Sequence, residues 1–395
     1  YTNRYHESAL LRARYSVRSM APKPLPGLWR WLDWSPVSKP NNEVAGSICY
    51  CSKGLAQSLG LKNLWISFNG YWPEKGANCP TTTFKDMEAV TTLQRLKDHR
   101  VPGLICASAG NTARAFAHFG GLANYPVLLI VAEKHLQRLW VPENHPTGSV
   151  LVIGIQAGDY SDAIDVTSKI AEDNGWRREG GAHNIARRDG IGTILLTAIE
   201  AMECMPIHYF QGVGGGPGPI GVHEMALRVM DSGAFEGPAP KLHLSQNEAF
   251  CPIHKAWQAG NCEIEAMEQT RHPEVFSDYL VSRNPAYGVR GGLFDCLSQS
   301  RGKTYSVSVE EAKEAEHLFT ETEGIDPLSP ASVAIASLKQ ACASGEVDSG
   351  DCILLNVSGG GRKRHNEEIK KQVIKPLAIV NKEEAIELGR RIVSR

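Results

Sequence analysis

The sequence predicts an α/β protein made of two open parallel-sheet domains with a ligand cleft between them. Three observations carry this. Short apolar runs alternate with helical stretches of about ten to fifteen residues, the pattern of βαβ units. Some runs, Val127–Val131 above all, are apolar without a break, as strands covered on both faces are. Small polar or glycine-rich turns close several strands at their C-terminal ends, where open α/β sheets bind ligands.

The elements follow in order. Residues 1–50 form a lead-in rich in proline and tryptophan (Pro22, Pro24, Pro26, Trp29, Trp31, Trp34) that packs on the larger domain. A smaller domain is expected over 51–175. It holds strands Leu64–Phe68, Val101–Ser108, Val127–Val131 and Val150–Ile155, and helices Phe84–Lys97, Thr112–Phe119 and Tyr160–Asp173. A larger domain is expected over 176–395. It holds helices Ile191–Glu203 and Gly221–Met230, and strands His208–Val213, Lys241–Ser245 and Cys352–Val357.

Composition narrows the function. The chain has 395 residues with 42 basic and 43 acidic side chains, so no basic footprint for nucleic acid exists. No apolar run approaches the ~18 residues that span a membrane. The arginine-rich stretch Tyr1–Ser19 has no signal-peptide core. Ten scattered cysteines contain no C-x-x-C pair, so no metal site is expected, and reduced thiols suit the cytoplasm.

Four segments can carry chemistry. In Pro80-Thr81-Thr82-Thr83-Phe84-Lys85-Asp86 a lysine opens a helix. The positive end of a helix disfavours its charge, which suits a nucleophilic amine, although a solvated lysine would read the same. In Ile105-Cys106-Ala107-Ser108-Ala109-Gly110-Asn111-Thr112 a strand turns into a helix whose first N–H groups suit an anion, with Ser108, Asn111 and Thr112 as further donors or as a plain cap. In Phe210–Gly218 five glycines lie between a strand and a helix; Gly212, Val213, Gly214, Gly215 and Gly216 can cradle a phosphate. No G-K-[ST] follows, and the spacing does not match G-x-G-x-x-G, so nucleotide and dinucleotide loops are disfavoured. In Asn356–Arg364 a strand ends in Ser358 and three glycines, followed by Arg362, Lys363 and Arg364.

Taken in this order, the segments resemble the fold-type-II pyridoxal-phosphate enzymes, the tryptophan synthase β-like class, and among them the threonine synthase group. Thr83-Phe84-Lys85-Asp86 resembles the group's cofactor-lysine motif, and Ala107–Thr112 its asparagine loop. The glycines from Gly212 match its phosphate cradle. Glu321–Ile325 with Pro330-Ala331-Ser332 is similar to its late helical segment, and Leu28-Trp29-Arg30 to its lead-in. The resemblance implies that Lys85 carries pyridoxal 5'-phosphate covalently and serves as base. It implies that Asn111 faces the cofactor's phenolic oxygen and Ser358 its ring nitrogen. Thr83, Ser108 and Thr112 would hold the substrate carboxylate, and Asn184 and Arg187 a leaving phosphate. Relatives are often dimers or trimers, so a homo-oligomer is expected.

Departures from the group are specific. Thr81-Thr82-Thr83 stands in place of a Thr-Gly-Ser stretch, Ser358–Lys363 replaces Thr-Gly-His-Gly-Leu-Lys, and Gly192 stands where a lysine is usual. They resemble a branch of the group in methanogenic archaea. That resemblance implies that O-phospho-L-serine and sulfite react to give L-cysteate and phosphate, a step of coenzyme M biosynthesis. Sulfite then calls for a second cation, for which Arg114 and the Arg362–Arg364 turn are candidates. The alternative is the group's parent reaction, O-phospho-L-homoserine and water giving L-threonine; a cysteine-forming synthase or a non-catalytic binder lies further off.

Overall fold

The structure is a computed structural model and describes residues 8–108, 110–171, 175–235, 237–265 and 274–394. Ala109 of the asparagine loop therefore lies outside the described residues. The main strands, in chain order, are β1 (Ile48–Cys51), β2 (Leu64–Phe68), β3 (Leu104–Ala107), β4 (Val127–Ala132), β5 (Val150–Ile155), β6 (Arg177–Arg178), β7 (His208–Gly212), β8 (Lys241–Asn247), β9 (Lys303–Val307), β10 (Ile353–Val357) and β11 (Ala378–Val380). The main helices are α1 (Lys85–Asp98), α2 (Asn111–Leu122), α3 (Tyr160–Ile170), α4 (Ile185–Met202), α5 (Pro217–Ser232), α6 (Val309–Glu323), α7 (Ser329–Ala343) and α8 (Lys382–Val393).

Two sheets form. The larger has the order β1-β2-β10-β7-β8-β9, parallel except for the antiparallel pair β1 and β2. The smaller has the order β11-β5-β4-β3-β6 and is parallel throughout. In β4 the side chains Val127, Leu129 and Val131 join one core, with Phe116 of α2 and Met87, Val90 and Leu93 of α1. Leu128 and Ile130 join the opposite core, with Val166 and Ile170 of α3 and Ala385 of α8. Burial on both faces is why the run reads as unbroken apolar sequence. The larger sheet is likewise covered twice, by α4 and α5 over Leu242 and Leu354, and by α7 over Phe210 and Leu355.

The α/β class and parallel sheets agree with the sequence reading, but the domain borders at 50/51 and 175/176 do not follow the sheets. Residues 48–68, placed in the smaller domain or its lead-in, supply two strands to the larger sheet. The C-terminal β11 and α8 return to the smaller sheet. The lead-in also packs on both sides: Leu28 and Trp29 enter the core of the smaller domain, Trp31 and Trp34 that of the larger. Hydrophobic pattern marks a strand but does not say which sheet it joins, so these crossings left no local sign. Helix starts moved too. Helix α4 begins six residues before the expected Ile191 because Asn184 caps it, accepting from the Arg187 N–H at 3.3 Å. Helix α5 begins directly after the glycine loop, with Pro217 at its first position.

Candidate active site

A cavity of about 470 Å³ opens between the two sheets at the C-terminal ends of their strands. One wall comes from the larger sheet and is mainly backbone. Strand β7 ends at Gly212, and the loop to Gly216 lines the cavity before α5 begins. Glycine is required here by close approach. A Cβ on Gly212 would stand 2.4 Å from the Pro330 carbonyl oxygen. Gly216 has φ +97° and would press on Leu293 at 2.9 Å. At Gly215, by contrast, the nearest atoms to such a Cβ lie 3.8 Å away. The space there is bounded by the first turn of a sixteen-residue helix; Pro217 and Pro219 carry no N–H, so among its first three residues Gly218 alone has one to offer, beside those of the loop itself.

The floor is the segment that leads into α1. Lys85 is its first residue and is mostly buried, its side chain 16% exposed. The amine lies 3.1 Å from Oε2 of Glu88, one turn along. Glu88 is fully buried and also meets Nε of Arg187 at 3.0 Å, and Arg187 Nη1 meets Glu179 at 2.6 Å. Burial lowers the Lys85 pKa first, and the nearby Arg187 charge lowers it further, while Glu88 pulls the other way. Burial raises that of Glu88 against the pull of Arg187 and Lys85. Both shifts favour neutral forms, so the site keeps an amine able to attack or take a proton.

The same segment is stitched to the end of β10. The Phe84 N–H donates to the Ser358 carbonyl at 3.0 Å, Gly360 N–H donates to Thr82 at 3.2 Å, and Thr83 pairs with Gly359. Thr82 adopts φ +67°, a strained choice for a β-branched residue. The Arg362 guanidinium holds it there, with Nε at 3.2 Å and Nη2 at 3.1 Å from Thr82 Oγ1. Asp86 accepts the N–H of Thr81 at 2.8 Å and its hydroxyl, fixing the other side of the turn. These bonds bring Ser358 and Lys85 to one cavity.

The second wall comes from the smaller sheet and is built of side chains. Ser108, Asn111 and Thr112 line it at the start of α2. The Asn111 amide oxygen accepts from Arg114 and, at 3.5 Å, from Arg362 Nη2, so its amide nitrogen is the end left for a ligand. Lys134, His135 and Arg138, just after β4, continue this wall, and Asp278, Tyr279 and Ser282 reach across from the larger domain.

Most of the residues singled out in the sequence therefore meet: Thr83, Lys85, Ser108, Asn111, Thr112, Arg187, the glycines 212–216 with Val213, and Ser358 all line the cavity. Two do not. Arg114 is buried behind the wall, donating to the carbonyls of Arg138 at 3.2 Å and Thr81 at 3.4 Å, with its guanidinium 4.5 Å over the Trp140 ring. Three residues past Asn111, it lies one turn further along the helix, facing protein instead of the cavity. Asn184 is spent on its cap and on donating to Thr92 at 3.1 Å and Glu179 O at 2.9 Å. Arg187 is on the wall but its charge is taken up by two carboxylates. The sequence reading missed Lys134, His135 and Arg138, although basic residues at the C-terminal end of a buried parallel strand were a usable sign. Asp278–Ser282 carried no local sign at all.

This donor set fits pyridoxal phosphate: a buried lysine amine whose pKa is lowered, a glycine loop at a helix start with open room for a phosphate, an amide nitrogen, and a serine hydroxyl at a strand end. Similarity to known proteins agrees. The family described as pyridoxal-phosphate dependent enzyme matches residues 74–359. Among solved structures, maize serine racemase superposes with a TM-score of 0.62 at 15% identity, covering 80% of this chain and 89% of that one. A threonine deaminase of Solanum lycopersicum gives 0.59 at 16% identity over 91% and 96%. The chain belongs to the pyridoxal-phosphate dependent enzymes of this α/β fold. Within them it is similar to cysteate synthases: 44% identical to that of Methanocella paludicola over 377 residues, 93% of this chain and 88% of that protein. It is also 44% identical to that of Methanosarcina barkeri, over 94% and 91%. Among the described residues, no helix is long and apolar enough to cross a membrane, and no cluster of three or more His, Cys, Asp or Glu side chains is placed to hold a metal.

Proposed function

We propose that this enzyme joins O-phospho-L-serine to sulfite, giving L-cysteate and phosphate. The observation that carries this is the likeness to cysteate synthases along nearly the whole chain. The cavity supports it by pairing a Lys85 amine with anion-binding groups on both walls.

When bound, pyridoxal phosphate supplies an electron sink that makes the substrate's Cα proton acidic. The chain's own residues do the rest. The glycine loop from Gly212 to Gly216 and the start of α5 hold the cofactor's phosphate. Asn111, turned by its two arginines, offers a donor to the ring's oxygen. Ser358 offers the ring nitrogen a hydroxyl, not a carboxylate, so no fixed charge there holds a proton on it. Thr83, Ser108, Thr112 and the N-terminus of α2 take the substrate carboxylate. Lys85 removes the Cα proton, the Cβ–O bond to phosphate breaks, the sulfite sulfur bonds to Cβ, and Lys85 returns the proton to Cα. Hydrogensulfite and phosphoserine thus become cysteate and hydrogenphosphate, with atoms and charge conserved. Glu88 beside Lys85 helps the amine alternate between its two protonation states at little cost in net charge. Ten unpaired cysteines support a cytoplasmic setting, and methanogen relatives support a role in coenzyme M biosynthesis.

The test is to incubate the cofactor-loaded protein with O-phospho-L-serine and sulfite, and separately with O-phospho-L-homoserine. Cysteate and phosphate are expected in the first and no threonine in the second. Threonine in the second with no cysteate in the first would overturn the reading.

A further inference from the structure

The proposed reaction needs a seat for a compact, multiply charged oxyanion twice. Phosphate leaves from Cβ, and sulfite then bonds to the same carbon. Both are small, three-sided clusters of oxygen acting at one atom, so a single seat can serve them in turn. Arg187 is poorly suited, since Glu88 and Glu179 flank its guanidinium at 3.0 and 2.6 Å. Arg114 and Asn184 do not reach the cavity.

We infer that Lys134, His135 and Arg138 form this oxyanion seat. All three line the cavity that Lys85 floors, and all follow β4, the middle strand of the smaller sheet. They stand where an open parallel sheet presents its ligands. Arg138 is held for the task from three sides. It pairs with Asp278 of the larger domain, lies 5.5 Å over the Tyr279 ring, and its carbonyl accepts from Arg114 Nη1 at 3.2 Å. The carboxylate of Asp278 beside it is itself half exposed, whereas Arg187 sits between two buried carboxylates. Lys134 is exposed at the mouth, so an anion arriving from solvent meets it before the floor. Arg114 on this view is a positioning residue, one step behind the seat. The assignment to phosphate and sulfite rests on the proposed function; the assignment to an oxyanion rests on the cavity wall alone.

The two are tested separately. Inorganic phosphate is titrated by calorimetry into the protein loaded with pyridoxal phosphate, so the cofactor's own phosphate site is already filled. Saturable binding is expected, weakened about ten- to hundredfold in Arg138→Gln and by a smaller factor in Lys134→Gln, which changes only an exposed side chain. In turnover, both variants should raise KM for phosphoserine and for sulfite together, with the bound cofactor's absorbance unchanged. Phosphate binding that both variants leave intact overturns the seat, as does a rise in KM for one substrate alone. If the wild-type protein makes no cysteate yet binds phosphate, and the variants lose that binding, the seat stands and the proposed reaction falls.

Discussion

The two walls of the cavity are made of different material. The wall from the larger sheet is main chain: five consecutive residues, four of them glycine, ahead of a long helix. The wall from the smaller sheet is side chain: Ser108, Asn111, Thr112, Lys134 and Arg138. A backbone wall recognises one fixed group, a phosphate, and tolerates little change because glycine is needed for room. A side-chain wall can be rewritten residue by residue without moving the strands beneath it. On the proposed reading, the difference divides the cofactor's phosphate from the substrate's charged groups, while Asn111 of the side-chain wall still reaches the cofactor ring.

The sharpest way to break this division is at the floor that both walls share. Lys85→Ala should remove the covalent cofactor linkage and lower turnover by about 10³-fold or more, read as loss of the bound cofactor's visible band and of cysteate release. A band that survives would show that another lysine holds the cofactor.

Next come two glycines of one loop. Gly212→Ala drives a Cβ into the Pro330 carbonyl and should cost about 1–3 kcal/mol, seen as a lower midpoint in urea. Gly215→Ala meets nothing within 3.8 Å and should leave that midpoint within about 0.5 kcal/mol while weakening cofactor binding. Equal loss of stability in both would show that the loop is structural filler and not a cradle.

The Lys85 amine gives a third test. Its pKa lies below the ordinary lysine value of about 10.4, because burial and Arg187 disfavour the charge. The unfolded chain therefore holds that proton more tightly, so this group favours folding more as pH rises toward about 10. Uptake of pyridoxal phosphate by the apoprotein should climb with pH and level off below that value. A rate that keeps climbing to the ordinary lysine pKa would contradict a depressed amine.

The smallest effect concerns a residue placed outside the cavity. Asn184→Ala should cost about 1 kcal/mol as a lost helix cap. It should leave KM for phosphoserine unchanged, and a large rise in that KM would return Asn184 to the substrate.

How much of this was legible depended on chain distance. Lys85, Asn111, the glycine loop and Ser358 each sit where one strand or turn meets the next element, so neighbours in sequence are neighbours in the site. The late helical segment was visible in the same way, as Ser329–Ala343 in the structure. Arg187 was found, but its two carboxylate partners, Glu88 and Glu179, lie 99 and 8 residues away, and the longer of these pairings has no local signature. Tyr279 and Asp278 arrive from a stretch without periodicity, carried across the cleft by contacts that only the folded chain makes. Arg114 was misjudged for the opposite reason: a cation beside an anion loop looks like a ligand until its burial is seen.

The seam between residues 82–84 and 358–360 has a consequence for how the protein is made. Strand β10 lies between β2 and β7, so until residues 353–362 leave the ribosome the larger sheet lacks a central strand. Neither Arg362 nor the Ser358 carbonyl is yet there to shape the turn before Lys85. A nascent chain carries Lys85 from its first quarter but has no finished turn around it until its last tenth. Loading is thereby a late event in the life of each new molecule, and a chain cut short before β10 would emerge with the lysine and without the enzyme.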